Sequence, residues 1–277
     1  MELIAVGLLL TRALASFIFI VLLFLSSTDV RAKNTLGLDD KPLRIAVASN
    51  FAPTLTKLLA RFNLNQENFP KPIIIAASSG TLFLQIQHGA SFDVFLSADT
   101  KRPQLLTTAD LAVKDSQQTY AYGALALWSA KKEITTDVLT ALKNNQHRLA
   151  IANPKIAPYG KAAKQVLEHL QLWDSYKTRL IQGINIIQTF QQTRSQAVNL
   201  GIVSNSQLVL NHFKGVLIPS HFHQPIKQQL VILKRSKNIQ QAQRFVSLLM
   251  SKQAQQFIAE SGYAKLNGMK DEGNTSE

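Results

Sequence analysis

Three short polar segments stand where apolar runs give way to helical spacing, and their residue types suit anion chemistry. They are Ala48-Ser49-Asn50, Ala77-Ser78-Ser79-Gly80-Thr81, and Asn153 to Gly160 with Ala157-Pro158-Tyr159-Gly160 at its end. At a helix start the first N–H groups lack intrahelical acceptors, and the helix dipole favours negative charge there. A serine hydroxyl adds a donor of little bulk. Several such junctions meeting at one place would make a cage of neutral donors around an anion. Serine and asparagine are also favoured as helix caps, a role that needs no ligand. Sequence order alone leaves both roles open.

Other chemistries find little support. The chain has no cysteine, which excludes disulfides, thiolate zinc sites and cysteine nucleophiles. There is no Gly-x-Ser-x-Gly elbow and no Gly-x-x-x-x-Gly-Lys phosphate loop. His221 and His223 flank Phe222 without a third ligand nearby, so no cation site is expected. Asp93 and Asp99 could act as acid and base, but Asp99 stands where it would cap a helix.

The elements that must position the polar segments follow from apolar spacing. Leu43 to Ala48, Pro72 to Ala77, and Val94-Phe95-Leu96 read as buried strands. Pro53 onward and Leu82 to Gly89 carry helical spacing between them. Tyr120 to Ser129 is a longer apolar run. Arg148 to Ala152 begins another strand–loop–helix unit, with Gly160 to Leu170 as its helix. Gly201-Ile202-Val203 and Ile226 to Leu233 read as further strands, and Ala242 to Ile258 as an amphipathic helix. Strands alternating with helices in this way imply parallel sheets with crossovers, whose ligands sit beyond the carboxyl ends of the strands. No internal repeat is visible.

Residues 1–32 differ from the rest. Ala13 to Leu25 is a nearly continuous apolar run after Arg12, and Val30-Arg31-Ala32 offers a small-x-small cleavage site. The pattern is that of a cleavable signal peptide. Leu3 to Leu25 is also long enough for a membrane anchor, but Arg12 interrupts it. With no cysteine for lipid attachment, the processed protein is expected free in the periplasm. The net charge of +13 belongs to the mature chain, because Glu2 and Asp29 cancel Arg12 and Arg31. Such a surface could attract nucleic acid, anionic membrane or small anions. Export and the absence of interleaved basic and aromatic residues argue against nucleic acid.

Taken together with Phe92-Asp93-Val94-Phe95-Leu96-Ser97-Ala98-Asp99, Gly201-Ile202-Val203 and Ser261-Gly262-Tyr263, the three polar segments closely resemble periplasmic molybdate-binding proteins. The resemblance runs from about Leu43 to Tyr263. It implies an α/β, two-lobed periplasmic binding protein fold of type II, each lobe a mainly parallel sheet flanked by helices. Lobe one is expected at residues 43–119 plus 224–263, lobe two at 120–223, and a flexible tail at 264–277. The implied activity is capture of molybdate or tungstate, without catalysis or a cofactor. Delivery would be to the permease and ATPase subunits of an ABC importer, by a monomer. By position, Ser49 and Ser79 would donate hydroxyl and backbone N–H bonds. Asn50 would add a donor, and Tyr159 and Ile186 would give backbone N–H groups from the other lobe. Ser204 stands where some members place a tyrosine, and is too short to reach in the same way. Within the same class the alternative ligand is sulfate or another small oxyanion. The alternative from another class is an exported hydrolase with Ser79 as nucleophile.

Overall fold

The computed structural model describes residues 41–62, 70–144 and 146–266. The expected leader at 1–32 and residues 267–277 of the expected tail lie outside them. Among the described residues no helix is long and apolar enough to cross a membrane.

Ten strands form two sheets of five. The first sheet holds β1 (Arg44–Ala48), β2 (Ile73–Ala77), β3 (Val94–Leu96), β4 (Gln118–Gly123) and β10 (Ile226–Ile232), in the order β2-β1-β3-β10-β4. The second holds β5 (Leu125–Trp128), β6 (Leu149–Ala152), β7 (Leu180–Gly183), β8 (Leu200–Ser204) and β9 (Val216–Leu217), in the order β7-β6-β8-β5-β9. In the first sheet β1 pairs in parallel with β2 and β3, and β10 lies antiparallel between β3 and β4. In the second, β6 pairs in parallel with β7 and β8, and β5 lies antiparallel between β8 and β9. Each sheet therefore has four strands running one way and one, in the fourth place, running back. The two sheets share this pattern of strand directions although the sequence shows no repeat, but the reversed strand comes last in chain order in the first (β10) and first in the second (β5).

The strands read as continuous apolar runs because both faces of each sheet are covered. Along β1, Ile45 and Val47 enter one apolar cluster and Ala46 the opposite one. Leu230 and Ile232 of β10 join the first cluster, and Val231 joins the second. In the other lobe Leu125 and Leu127 face one side, Ala126 and Trp128 the other.

Helices follow the strands at their carboxyl ends. They are α1 (Ala52–Arg61), α2 (Ser79–Gln87), α3 (Lys101–Thr108), α4 (Val138–Asn144), α5 (Pro158–His169), α6 (Trp173–Tyr176), α7 (Ile186–Arg194), α8 (Asn205–Leu210), α9 (Ile239–Leu249) and α10 (Lys252–Glu260).

Three expectations need correction. The apolar run from Tyr120 to Ser129 is two strands in different sheets, so the chain crosses at Ala124 rather than at Tyr120. The helix expected over Ala242 to Ile258 breaks after Leu249, because the Ser251 hydroxyl accepts from Ala254 N–H and starts α10. Ala264, placed in the tail, is held by a backbone bond to the Tyr122 carbonyl at 3.0 Å.

Candidate functional site

The junctions β1–α1 and β2–α2 of one lobe meet β6–α5 and β7–α7 of the other. These are the same two positions in each sheet. Between them is a small cavity of about 10 Å3, lined by Ser49, Asn50, Ser78, Ser79, Tyr159 and Ile186 with small apolar neighbours. No charged side chain is among its lining residues. The five residues singled out from the sequence are thus brought together, two of them from the second lobe.

Adjacent serines are divided between two tasks. Ser78 is the cap of α2: its Oγ accepts from Thr81 N–H at 3.2 Å. Ser79 is fully buried, and its Oγ accepts from Ala98 N–H at 2.9 Å. With that lone pair occupied, the Ser79 hydroxyl proton is left to point elsewhere. Ser79 is also the first residue of α2, so its N–H has no intrahelical acceptor. Ser49 is buried on the cavity wall, but its N–H donates to the Ala77 carbonyl at 2.9 Å as the parallel ladder runs on. The backbone donation expected from Ser49 therefore falls on an N–H already engaged in the sheet, which leaves its hydroxyl on the cavity wall.

Asn50 lines the cavity as well, and its side chain is engaged beside it. Its side-chain amide donates to Gln228 Oε1 at 2.9 Å, Tyr263 Oη at 3.3 Å and Tyr159 Oη at 3.5 Å. The side chain is committed to this network and holds the wall together. Gln228, buried in β10, gives its own Nε2–H to Tyr159 Oη at 3.3 Å and accepts from Tyr120 Oη–H at 3.1 Å. No sequence signal marks Gln228, because its face along an apolar strand does not say what it meets. Burial pushes the Tyr120 and Tyr159 phenols well above their ordinary value, and Tyr263 to about 12. All three stay neutral, so they add no charge to the site.

From the second lobe, Pro158 fills the first position of α5, where no N–H is needed, and Tyr159 follows with a free first-turn N–H. Ile186 opens α7 behind Asn185, whose Oδ1 accepts from Gln188 N–H at 3.0 Å. Gln207 Nε2–H donates to the Ile186 carbonyl at 3.1 Å and fixes this turn. The lobes touch directly beside the cavity, where Gly80 N–H donates to the Ile156 carbonyl at 2.9 Å. A Cβ at Gly80 would lie 2.7 Å from that oxygen, so only glycine permits the approach.

The profile of the family described as bacterial extracellular solute-binding protein matches residues 43–264. The chain belongs to that family. A molybdate-binding protein ModA of Azotobacter vinelandii is 37% identical over 226 residues, covering 80% of this chain and 89% of the relative. A ModA of Rhodobacter capsulatus is 34% identical over 220 residues, covering 79% and 86%. The solved structure of the Azotobacter vinelandii periplasmic molybdate-binding protein superposes with a TM-score of 0.75 at 35% identity, covering 80% of this chain and 98% of that one.

The remaining candidates of this solute-binding protein have structural tasks. Ser204 donates from Oγ to Gln207 Oε1 at 3.0 Å and does not line the cavity. Asp93 precedes β3 and accepts from Arg44 N–H and the Ser236 hydroxyl, while Asp99 follows β3 and accepts from Arg102 N–H. The two carboxylates stand at opposite ends of the strand and form no acid–base pair. His221 packs against His169 and Phe222, and among the described residues no three metal-ligating side chains cluster.

Proposed function

We propose that this chain is a periplasmic binding protein that captures molybdate or tungstate and hands it to the permease and ATPase subunits of an ABC importer. One observation carries the reading. Ser49, Asn50, Ser79, Tyr159 and Ile186, drawn from both lobes, line one small cavity that has hydroxyl and backbone donors and no charged group. A fully ionised oxyanion accepts at every oxygen and suits such a wall. The relatives named for molybdate binding support the choice of ion. In this reading residues 1–32 direct export and are removed, and the mature protein acts as a monomer without cofactor or catalysis. A hydrolytic role for Ser79 lacks a base, since no histidine lines the cavity.

Calorimetry on the mature protein with molybdate, tungstate, sulfate and phosphate tests it. Phosphate near neutral pH is largely protonated, and its O–H would face donors. That costs roughly 1–3 kcal/mol, or about 5- to 150-fold in affinity. Molybdate and tungstate should bind and phosphate should be rejected. Tight phosphate binding with no response to molybdate refutes the assignment, and a preference for sulfate replaces the ion while keeping the site.

A further inference from the structure

A second, larger cleft shares a wall with the cavity. Ala98, Ala157 and Pro158 line both. Its volume is about 350 Å3. Where the inner cavity is neutral, this cleft is strongly basic. Lys101 and Arg102 at the start of α3 and Lys227 on β10 approach it from one lobe. Lys155 and Lys161 approach it from the other. Among the described residues the only carboxylate in its lining is Asp99, which is bound to the Arg102 guanidinium. Lys101, Lys155 and Lys161 are exposed, so the cleft opens to solvent. Like charges therefore face each other across the lobes, directly beside a cavity that contains none.

We propose that this basic cleft is an entry vestibule for the inner cavity, a weak transit site that gathers small oxyanion dianions and feeds them inward. The physics separates two tasks. Long-range attraction by exposed lysines raises the local anion concentration and the association rate, by 10-fold to 10³-fold in strongly focused clefts. Short neutral hydrogen bonds inside then hold the ion, and set its dissociation, with little dependence on salt. A lysine in the inner wall would hold every anion alike. Placing the charge one chamber outward gives speed without giving up discrimination.

The proposal rests on the oxyanion reading above, and its test separates the two. Two variants lose the same net charge. K101Q/K155Q/K161Q strips the cleft, and K114Q/K143Q/K237Q removes three exposed lysines that do not line it. Association and dissociation of molybdate are followed by stopped flow, and the dissociation constant by calorimetry, at low salt and at ~150 mM salt. The cleft variant should associate about three- to tenfold more slowly at low salt, with an unchanged dissociation rate and a flattened salt dependence. The control variant should keep most of the wild-type rate. Equal slowing in both variants would mean that the charge acts over the whole surface, and overturns the vestibule alone. Faster dissociation from the cleft variant would place its lysines on the bound ion, and overturns it too. A wild type that gives no heat with any of the oxyanions overturns the ligand reading and the vestibule together.

Discussion

At the scale of single residues, three serines offer three separable outcomes. Ser49 contributes a hydroxyl to the cavity, while its backbone N–H belongs to the sheet. Ser49→Ala should therefore weaken molybdate binding by roughly 10- to 150-fold, the worth of one hydrogen bond to a charged group, and leave the melting of the ligand-free protein almost unchanged. Ser78 is a cap, so Ser78→Ala should cost about 0.5–2 kcal/mol of stability and leave affinity in the folded fraction intact. Ser79 does both tasks. Ser79→Ala should lose affinity and also stability, because Ala98 N–H loses its acceptor in a buried place. Titration beside thermal melting of the three variants checks the pattern. Equal small affinity losses in all three would remove the serines from the site.

At the scale of elements, the contact between the lobes depends on how near α2 comes to the β6–α5 loop. Gly80 is the second residue of α2, and alanine there favours the helix by up to about 1 kcal/mol. Its methyl group would nevertheless meet the Ile156 carbonyl. Gly80→Ala should thus lose more in the contact between the lobes than it gains in helix propensity, and bind molybdate at least about tenfold more weakly. Calorimetry decides, and unchanged affinity would show that the Gly80–Ile156 contact has no part in binding. The polar junctions were legible in the sequence as strand-to-helix turns, but helix capping suits the same residues, so their meeting at one cavity needed the structure. The crossing at Ala124 was not legible, since apolar strands flank it and only Gly123 marks the change. There the Tyr159 hydroxyl packs so closely that a Cβ would lie 2.2 Å from it. Nor could the sequence reveal the tie from Asn50 to Gln228, because residues 178 positions apart meet only through the placement of β10 beside β3. The start of α7 was readable in principle from Asn185-Ile186-Ile187-Gln188, a cap followed at the third helical position by glutamine.

At the scale of the whole molecule, the neutral wall of the site spans both lobes. Tyr120 and Tyr263 come from the first and Tyr159 from the second, and all are buried. Their folded pKa values lie above those of unfolded tyrosine, near 10. Below that value both states keep the protons and pH has no effect through these groups. Above it the unfolded chain releases protons that the folded one retains, so stability falls with rising pH. Each such phenol steepens the fall by about 1.4 kcal/mol per pH unit until its folded pKa is passed, which for Tyr263 is about 12. Denaturant unfolding should therefore be flat in this respect up to about pH 9 and drop steeply beyond 10. Tyr263→Phe should make the drop shallower, and an unchanged slope would mean that this phenol is not shielded from water.

The position of β10 also sets the order in which the molecule can be assembled. The second sheet uses only β5 to β9, one continuous stretch of chain, whereas β10 is the bridge that joins β4 to β3 in the first. A chain growing from its amino end can complete the second lobe before the first has its fourth strand. A piece covering residues 124–223 should accordingly give a cooperative unfolding transition by circular dichroism. A piece ending at residue 223 should show that same transition and no second one, because β4 stays unjoined to the three strands β2, β1 and β3. Lobe one is first in sequence and last to be finished.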